Sequence, residues 1–134
     1  GDRAVASERD ARVSIHHCAA VALLFGAAGM HEFSEAVVQD PRVVALRALT
    51  RPQLDPTAPK GSATVTLRLR DGRTLTSTVL HPRGSTRHPL TDQEIGAKVR
   101  ELAGPSADAL IAAAWRLDTL PTIAPLLTAI GRKA

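Results

Sequence analysis

The residues best suited to binding an anion are concentrated in one loop, between Pro82 and Pro89. Residues 81–90 contain two arginines and two histidines, together with a glycine and two hydroxyl side chains. Arginine can bind a carboxylate through two hydrogen bonds, and the two prolines restrict the loop backbone. The loop is therefore a candidate site for a small carboxylate ligand. The alternative, a stiff connector between two elements, stays open because arginines are common in surface loops.

The other residues with catalytic or metal-binding chemistry lack the spacing that such sites require. His16 and His17 are neighbours, so on a helix their side chains point about 100° apart and do not face one metal ion. Cys18 is the only cysteine and lies in an apolar segment, which favours a buried and inert thiol. Glu32 and Glu35 are one helical turn apart, which a solvated helix face explains better than a catalytic pair. The sequence therefore predicts no metal site and no catalytic residue.

The composition is that of one soluble domain with a local excess of positive charge. The chain has 134 residues, of which 44% are hydrophobic, and a net charge of +4. Residues 68–87 contain five arginines against one aspartate, but aromatic residues make up only 2% of the chain, too few for base stacking. No apolar run approaches the ~20 residues of a membrane span. We expect a cytoplasmic protein that binds neither nucleic acid nor membrane, with a basic segment that meets a small anion, an acidic surface or solvent.

Helical patterns dominate the first part of the chain. Residues 15–25 predict a largely buried helix that Ser14 caps and Gly26 ends. A short helix is expected over residues 30–39. The pair Asp40-Pro41 then begins another, with the aspartate as N-cap and the proline at the first helical position. The first ten residues have no periodicity and are expected to form a loose lead-in.

A β-hairpin is the clearest local prediction. Apolar and polar residues alternate from Thr64 to Leu69, and a second β-rich run extends from Thr74 to Leu80. Asp71-Gly72 lies between the two runs, which is a strong hairpin signal. Because a lone two-stranded hairpin is marginally stable, a third strand is expected. Residues 51–54 could supply it as an edge strand, or it could come from sequence outside this chain.

Helices are expected again after the loop. Thr91 and Glu94 form a capping box that begins a helix extending to about Ala103. Gly104-Pro105 ends it, and two shorter helices are expected beyond, to about Leu117 and over residues 123–130. The order of helices, hairpin and helices predicts an α+β fold in which a small antiparallel sheet, a hairpin over about residues 63–80 with or without the edge strand, packs with flanking helices.

Four segments resemble, in the same order and spacing, motifs of the MmgE/PrpD family. The segments are Ser14–Gly26, Asp40–Val43, Val65–Leu75 and Gly84–Thr91. The last, Gly-Ser-Thr-Arg-His-Pro-Leu-Thr, is similar to a family signature in which Arg-Asn-Pro-Leu or Arg-Lys-Pro-Leu precedes an acidic helix. The resemblance covers about residues 11–127, nearly the whole chain.

The resemblance implies the C-terminal lid portion of a lyase or isomerase. The family includes 2-methylcitrate dehydratase, cis-aconitate decarboxylase and iminodisuccinate epimerase, which abstract a proton next to a carboxylate of a small di- or tricarboxylate. Its members need no metal or organic cofactor and are usually homodimers. Their active site lies between a large helical domain and a smaller α+β lid. The resemblance thus implies that residues 1–134 form a single lid domain, and that the helical domain with most catalytic residues lies outside this chain.

By the same resemblance, His17 and Arg87 are the candidates for substrate binding. Arg87 would contact a substrate carboxylate or fix the loop, and His17 would line the cleft. For both residues a purely structural role is the open alternative. Ser85 stands where many members have histidine, and Phe25 where a polar residue is frequent, so the resemblance does not indicate which polycarboxylate is bound.

Two functions follow as expectations. The first is a lid that is inactive alone and takes part in catalysis together with the helical domain or a second subunit. The second is a stand-alone α+β binding or oligomerisation module that has lost the chemistry and completes its sheet across a subunit interface.

Overall fold

The computed structural model describes residues 5–131 and divides the chain into two compact units. Unit 1 ends at Asp55 and unit 2 begins at Pro56. Unit 1 contains the helices α1 (Glu8–Ala11), α2 (Ile15–Phe25), α3 (Glu35–Val38) and α4 (Pro41–Leu49), with a 3-10 turn at His31–Phe33. Unit 2 contains the strands β1 (Ala63–Arg68) and β2 (Thr74–Val79) and the helices α5 (Asp92–Ala103), α6 (Ala107–Ala114) and α7 (Ala124–Ala129), with a 3-10 turn at Gly104–Ser106. This combination confirms the predicted α+β class.

The core of unit 1 forms where α2 packs on α4. Small apolar side chains fill it: Ala20, Val21, Val37 and Val43, with Leu24 and Leu46 against them. The predicted start and end of α2 are confirmed. The Ser14 hydroxyl accepts a hydrogen bond from the His17 amide at 3.2 Å, and Gly26 ends the helix in the left-handed region at φ 70°. Asp40 caps α4 through a 2.8 Å bond from the Arg42 amide, also as predicted.

The helix expected over residues 30–39 is broken at Ser34. This residue is extended, with φ −67° and ψ 153°, and separates the 3-10 turn from α3. The break turns the Glu35 amide towards α1, where the Glu8 Oε1 atom accepts its hydrogen bond at 2.9 Å. A serine favours such a break because its side chain can hydrogen-bond to nearby backbone groups in non-helical conformations, which makes serine more favourable at caps and turns than inside a helix. The prediction of one continuous helix was therefore wrong.

The start of the chain also differs from the expected loose lead-in. Residues 1–4 lie outside the described part, but Ser7 and Asp10 form a reciprocal capping box around α1. The Ala11 side chain is fully buried, and the Gln39 side-chain amide donates to the Ala6 carbonyl at 3.2 Å. This short turn of helix is thereby joined to the segment around α3.

The hairpin forms as predicted and has two chemically different faces. Its strands are antiparallel, with Val65 opposite Ser77 and Leu67 opposite Leu75. One face, here called the aliphatic face, carries Ala63, Val65, Leu67, Leu75 and Val79 together with Ser77. The other carries threonine pairs, Thr64 with Thr78 at 2.9 Å and Thr66 with Thr76 at 3.3 Å between hydroxyl oxygens. Val65, Leu75 and Val79 are each about half exposed.

No third strand accompanies this hairpin within residues 5–131. The edge strand considered for residues 51–54 does not form, since these residues have no regular structure. Pro52 has no amide hydrogen to donate to a ladder, and the Leu54 side chain is exposed. The turn between the strands closes as expected, with a 2.8 Å bond from the Leu69 amide to the Arg73 carbonyl and with Gly72 at φ 87°.

In unit 2, α5 packs on α6, and α6 on α7. Thr91 and Glu94 form the predicted capping box, and α5 ends at Ala103 as expected. A Cβ built at Gly96 would lie 3.9 Å from the Ile111 side chain, an ordinary van der Waals distance, so the contact between the two helices does not require a glycine there. The α-helix α6 ends at Ala114, earlier than predicted, and turns follow it. None of the described helices has both the length and the apolar character required to cross a bilayer.

Candidate functional site

His17 is completely buried in unit 1 and uses both ring nitrogens. Its position on the first turn of α2 directs the ring at the 3-10 turn, where Nε2 lies 2.9 Å from the Glu32 carbonyl oxygen. Its Nδ1 lies 3.4 Å from the Arg47 guanidinium on α4. Since a guanidinium can only donate and a carbonyl can only accept, Nδ1 is the acceptor and Nε2 carries the hydrogen. In this arrangement His17 donates from Nε2 and accepts at Nδ1.

The groups around His17 are themselves held in place. The Glu32 carboxylate accepts a 2.8 Å bond from the Gly29 amide and lies 3.2 Å from the His31 ring. The Gly29 amide is the main reason why the pKa of Glu32 is lowered. The Phe33 ring lies 5.3 Å from the imidazole, between ring centroids, and burial lowers the pKa of Arg47. His17 thus joins α2, the 3-10 turn and α4.

The candidate site in unit 2 is the loop over residues 81–90, which consists of two consecutive tight turns. The Ser85 amide donates to the Pro82 carbonyl at 3.0 Å, and the His88 amide donates to the Ser85 carbonyl at 3.0 Å. The Gly84 amide returns to the His88 carbonyl at 2.7 Å. Gly84 has φ 88°, as the third residue of a type II turn requires. The predicted stiffness of the loop therefore has a hydrogen-bonded basis.

Arg87 occupies the third position of the second turn, with Thr86 before it. Its side chain is exposed, and it has no hydrogen bond or ion pair to any residue between 5 and 131. By contrast, the Ser85 hydroxyl is used inside the turn, where it accepts from the His88 amide at 3.2 Å. His81 and His88 are exposed as well. The turn therefore presents a guanidinium on a fixed backbone.

The loop's second arginine is already paired. Arg83 Nη2 lies 2.7 Å from Glu94 Oε1 on the first turn of α5. The other oxygen of Glu94 accepts from the Thr91 amide at 2.7 Å and from the Thr91 hydroxyl at 2.9 Å. The bond from the Thr91 amide is the largest cause of the lowered pKa of Glu94. Arg83 is thus engaged within unit 2, whereas Arg87 is available for a ligand.

The sequence-predicted candidates lie in different units, His17 in unit 1 and Arg87 in unit 2. Substrate binding by either residue stays a prediction. The contacts of His17 support the structural role that was left open for it. Cys18 is half-buried, and burial raises the pKa of its thiol. Within residues 5–131, no group of three or more His, Cys, Asp or Glu side chains is arranged to hold a metal ion.

Sequence reasoning missed two residues of these arrangements. The sequence does not indicate a role for Arg47, because nothing in the order of residues shows that α4 directs it at a ring thirty positions away. The sequence indicates Glu94 only as part of a capping box, although it also pairs with Arg83. An arginine and a glutamate at the two ends of a proline-bounded loop are a signal that could have indicated this pair.

An α+β chain with an arginine-bearing loop before an acidic-capped helix is the type of domain that the resemblance described. The family model for the MmgE/PrpD C-terminal domain matches residues 1–117. The chain therefore belongs to the MmgE/PrpD family, as a C-terminal domain. No curated protein sequence gives a significant match to the chain.

Proposed function

We propose that this chain is the lid portion of a lyase or isomerase that acts on small di- or tricarboxylates and has no turnover by itself. Two observations support the proposal: the match to the MmgE/PrpD C-terminal domain, and the unpaired guanidinium of Arg87 on a rigid turn. The second carries the argument, because it supplies the chemistry that the substrate class requires.

In this proposal Arg87 binds a substrate carboxylate. A guanidinium matches a carboxylate with two parallel hydrogen bonds, and Arg87 does not have to break an existing ion pair first. When a proton is removed from the carbon next to that carboxylate, negative charge develops there. A fixed positive group at this point stabilises the charge more than it stabilises the ground state. The base itself would belong to the helical domain.

For His17 we propose the structural one of its two roles. A buried imidazole that donates to the Glu32 carbonyl and accepts from Arg47 holds the helices of unit 1 together. It would support the wall of a cleft without touching the substrate.

The proposal is tested by titrating citrate into the chain while the arginine side-chain N–H signals are followed by NMR. We expect the Arg87 signal to shift and the Arg87→Ala variant to lose about ten- to hundredfold in affinity. Arg70→Ala is the matched control, because it removes the same charge from another exposed arginine of the basic segment. Equal losses in the two variants would contradict the proposal, since they would indicate general attraction to positive charge.

Turnover is tested separately on the same chain with 2-methylcitrate and cis-aconitate. We expect none without a helical domain. Turnover at an enzymatic rate would contradict the proposal that the catalytic residues lie elsewhere.

A second candidate function, a binding or oligomerisation module, is supported by the half-exposed aliphatic face of the hairpin. Size-exclusion chromatography with light scattering tests it. This function requires a homo-oligomer, and a clean monomer at high concentration would contradict it.

We further propose a cytoplasmic location without binding to membrane, because no apolar run approaches the ~20 residues of a membrane span. We also propose no binding to nucleic acid, because aromatic residues are scarce. Salt-dependent retardation of DNA in a gel-shift experiment would contradict it.

A further inference from the structure

The Glu94 carboxylate joins the two ends of the loop that carries Arg87. Its Oε1 atom holds the Arg83 guanidinium at the beginning of the loop, at 2.7 Å. Its Oε2 atom holds the amide and the hydroxyl of Thr91 at the end, at 2.7 and 2.9 Å. One side chain therefore closes a loop of seven intervening residues onto the first turn of α5.

The hydrogen bonds inside the loop do not accomplish this attachment. The bonds among Pro82, Gly84, Ser85 and His88 make the double turn rigid in itself. These bonds do not reach α5, to which the backbone of Pro89 and Leu90 connects the turn. Among the described residues, the Arg83–Glu94 ion pair is the polar side-chain contact that joins the beginning of the loop to α5.

We propose that Glu94 is a positioning residue that fixes the direction of the Arg87 guanidinium and so sets the affinity for a substrate carboxylate. This inference rests on the proposed function, in which Arg87 binds that carboxylate. Two parallel hydrogen bonds between planar groups depend on orientation as well as on distance. A turn that pivots on α5 would present the same charge in many directions and bind more weakly.

Because Glu94 is negatively charged, replacing it by glutamine distinguishes electrostatic attraction from positioning as the source of the anion affinity. Electrostatic attraction alone predicts that replacing Glu94 by glutamine strengthens anion binding, because a nearby negative charge is removed and Arg83 is released. Positioning predicts the opposite. Glutamine also keeps the capping box, which accepts either Glu or Gln at this position, so helix α5 should remain intact.

The experiment compares the wild-type chain with Glu94→Gln in two measurements. The first is the set of residual dipolar couplings of the amides in residues 84–88 relative to those of α5. The second is citrate affinity from NMR titration. We expect the loop couplings to be scaled down in Glu94→Gln, and citrate to bind about three- to tenfold more weakly. Arg83→Lys keeps the charge pair with Glu94 and should retain most of the wild-type affinity.

Asp108→Asn is the matched control, because it removes an exposed carboxylate charge that pairs with Arg100 of α5 and leaves the contacts of Glu94 with Arg83 and Thr91 in place. It should not weaken citrate binding. Unchanged loop couplings in Glu94→Gln would overturn the positioning role, whether or not citrate binds. Tighter or unchanged citrate binding in Glu94→Gln would also overturn it, while leaving the proposed function intact if Arg87→Ala loses affinity. If Arg87→Ala binds citrate as well as wild type, the proposed function fails and the positioning role with it.

Discussion

The imidazole of His17 donates a hydrogen bond from Nε2 to the backbone carbonyl of Glu32, at 2.9 Å, in the interior of unit 1. The two residues are fifteen positions apart, on α2 and on the 3-10 turn. The bond gives the Glu32 carbonyl, which lies outside the α-helices, a hydrogen-bond donor. The Arg47 guanidinium donates to the other ring nitrogen. A polar side chain can be fully buried at low cost only when its polar atoms are paired in this way.

Replacing His17 by alanine should therefore destabilise the chain strongly. The substitution leaves a cavity and removes the partner of the Glu32 carbonyl. We expect a loss of about 2–4 kcal/mol in the free energy of unfolding, measured by urea denaturation. His81→Ala, at an exposed histidine, is the control and should change the stability by less than about 0.5 kcal/mol. Similar losses for both variants would show that the buried contacts of His17 are not important for stability.

Two glycines should respond oppositely to alanine. Gly84 has φ 88°, and a Cβ there would meet nothing closer than 3.8 Å, so Gly84→Ala should cost about 1–2 kcal/mol through backbone strain alone. Gly96 lies inside α5, and its Cβ would meet the end of the flexible Arg100 side chain at 3.2 Å. Since that side chain can move, Gly96→Ala should stabilise the helix by up to about 1 kcal/mol. Thermal denaturation of the two variants checks both signs, and a stabilised Gly84→Ala would refute the left-handed turn.

Thr91 should contribute more to stability than Ser106, although both precede a helix. The Thr91 hydroxyl accepts from the Glu94 amide at 3.3 Å and donates to its carboxylate, whereas Ser106 makes no side-chain cap bond to α6. Thr91→Ala should therefore cost about 1 kcal/mol, and Ser106→Ala should be close to neutral. Denaturant midpoints of the two variants decide this, and equal midpoints would contradict the capping geometry.

Acid should destabilise unit 1 through Asp40. The Arg42 side chain, followed by the Arg42 amide, lowers the pKa of Asp40 to about 2. Because the folded-state pKa lies below the ordinary value of about 3.9, the stabilisation is fully present above that value and is lost as the pH falls towards 2. Asp40→Asn keeps a good N-cap but not the ion pair. Its denaturation midpoint should depend less on pH than that of wild type between pH 4 and about 2. Parallel pH curves for the two proteins would argue against this pair.

The elements that could be predicted are those whose causes are local. The limits of α2 follow from Ser14 and Gly26 at its two ends, and the hairpin follows from alternation around Asp71-Gly72. Each of these signals acts over a few residues, so it determines local structure independently of the tertiary packing around it. The same is true of the Thr91 cap of α5.

The contacts that could not be predicted join segments distant in sequence. The break at Ser34 depends on Glu8, whose carboxylate accepts a hydrogen bond from the Glu35 amide, twenty-seven positions later in the chain. The burial of His17 depends on a backbone carbonyl, and every residue has one, so the sequence carries no mark of it. For the loop, composition indicates the anion-binding chemistry, but only the folded structure distinguishes the paired Arg83 from the unpaired Arg87.

The hairpin also has a consequence for how the chain behaves in concentrated solution. Within the described residues both strands are outer strands, so each leaves a row of backbone amides and carbonyls unpaired, which is a template for stacking of further copies. Arg68 and Arg70 put like charges at the turn end of every copy, and their mutual repulsion weakens as salt screens it. Colloidal stability should therefore fall as ionic strength rises.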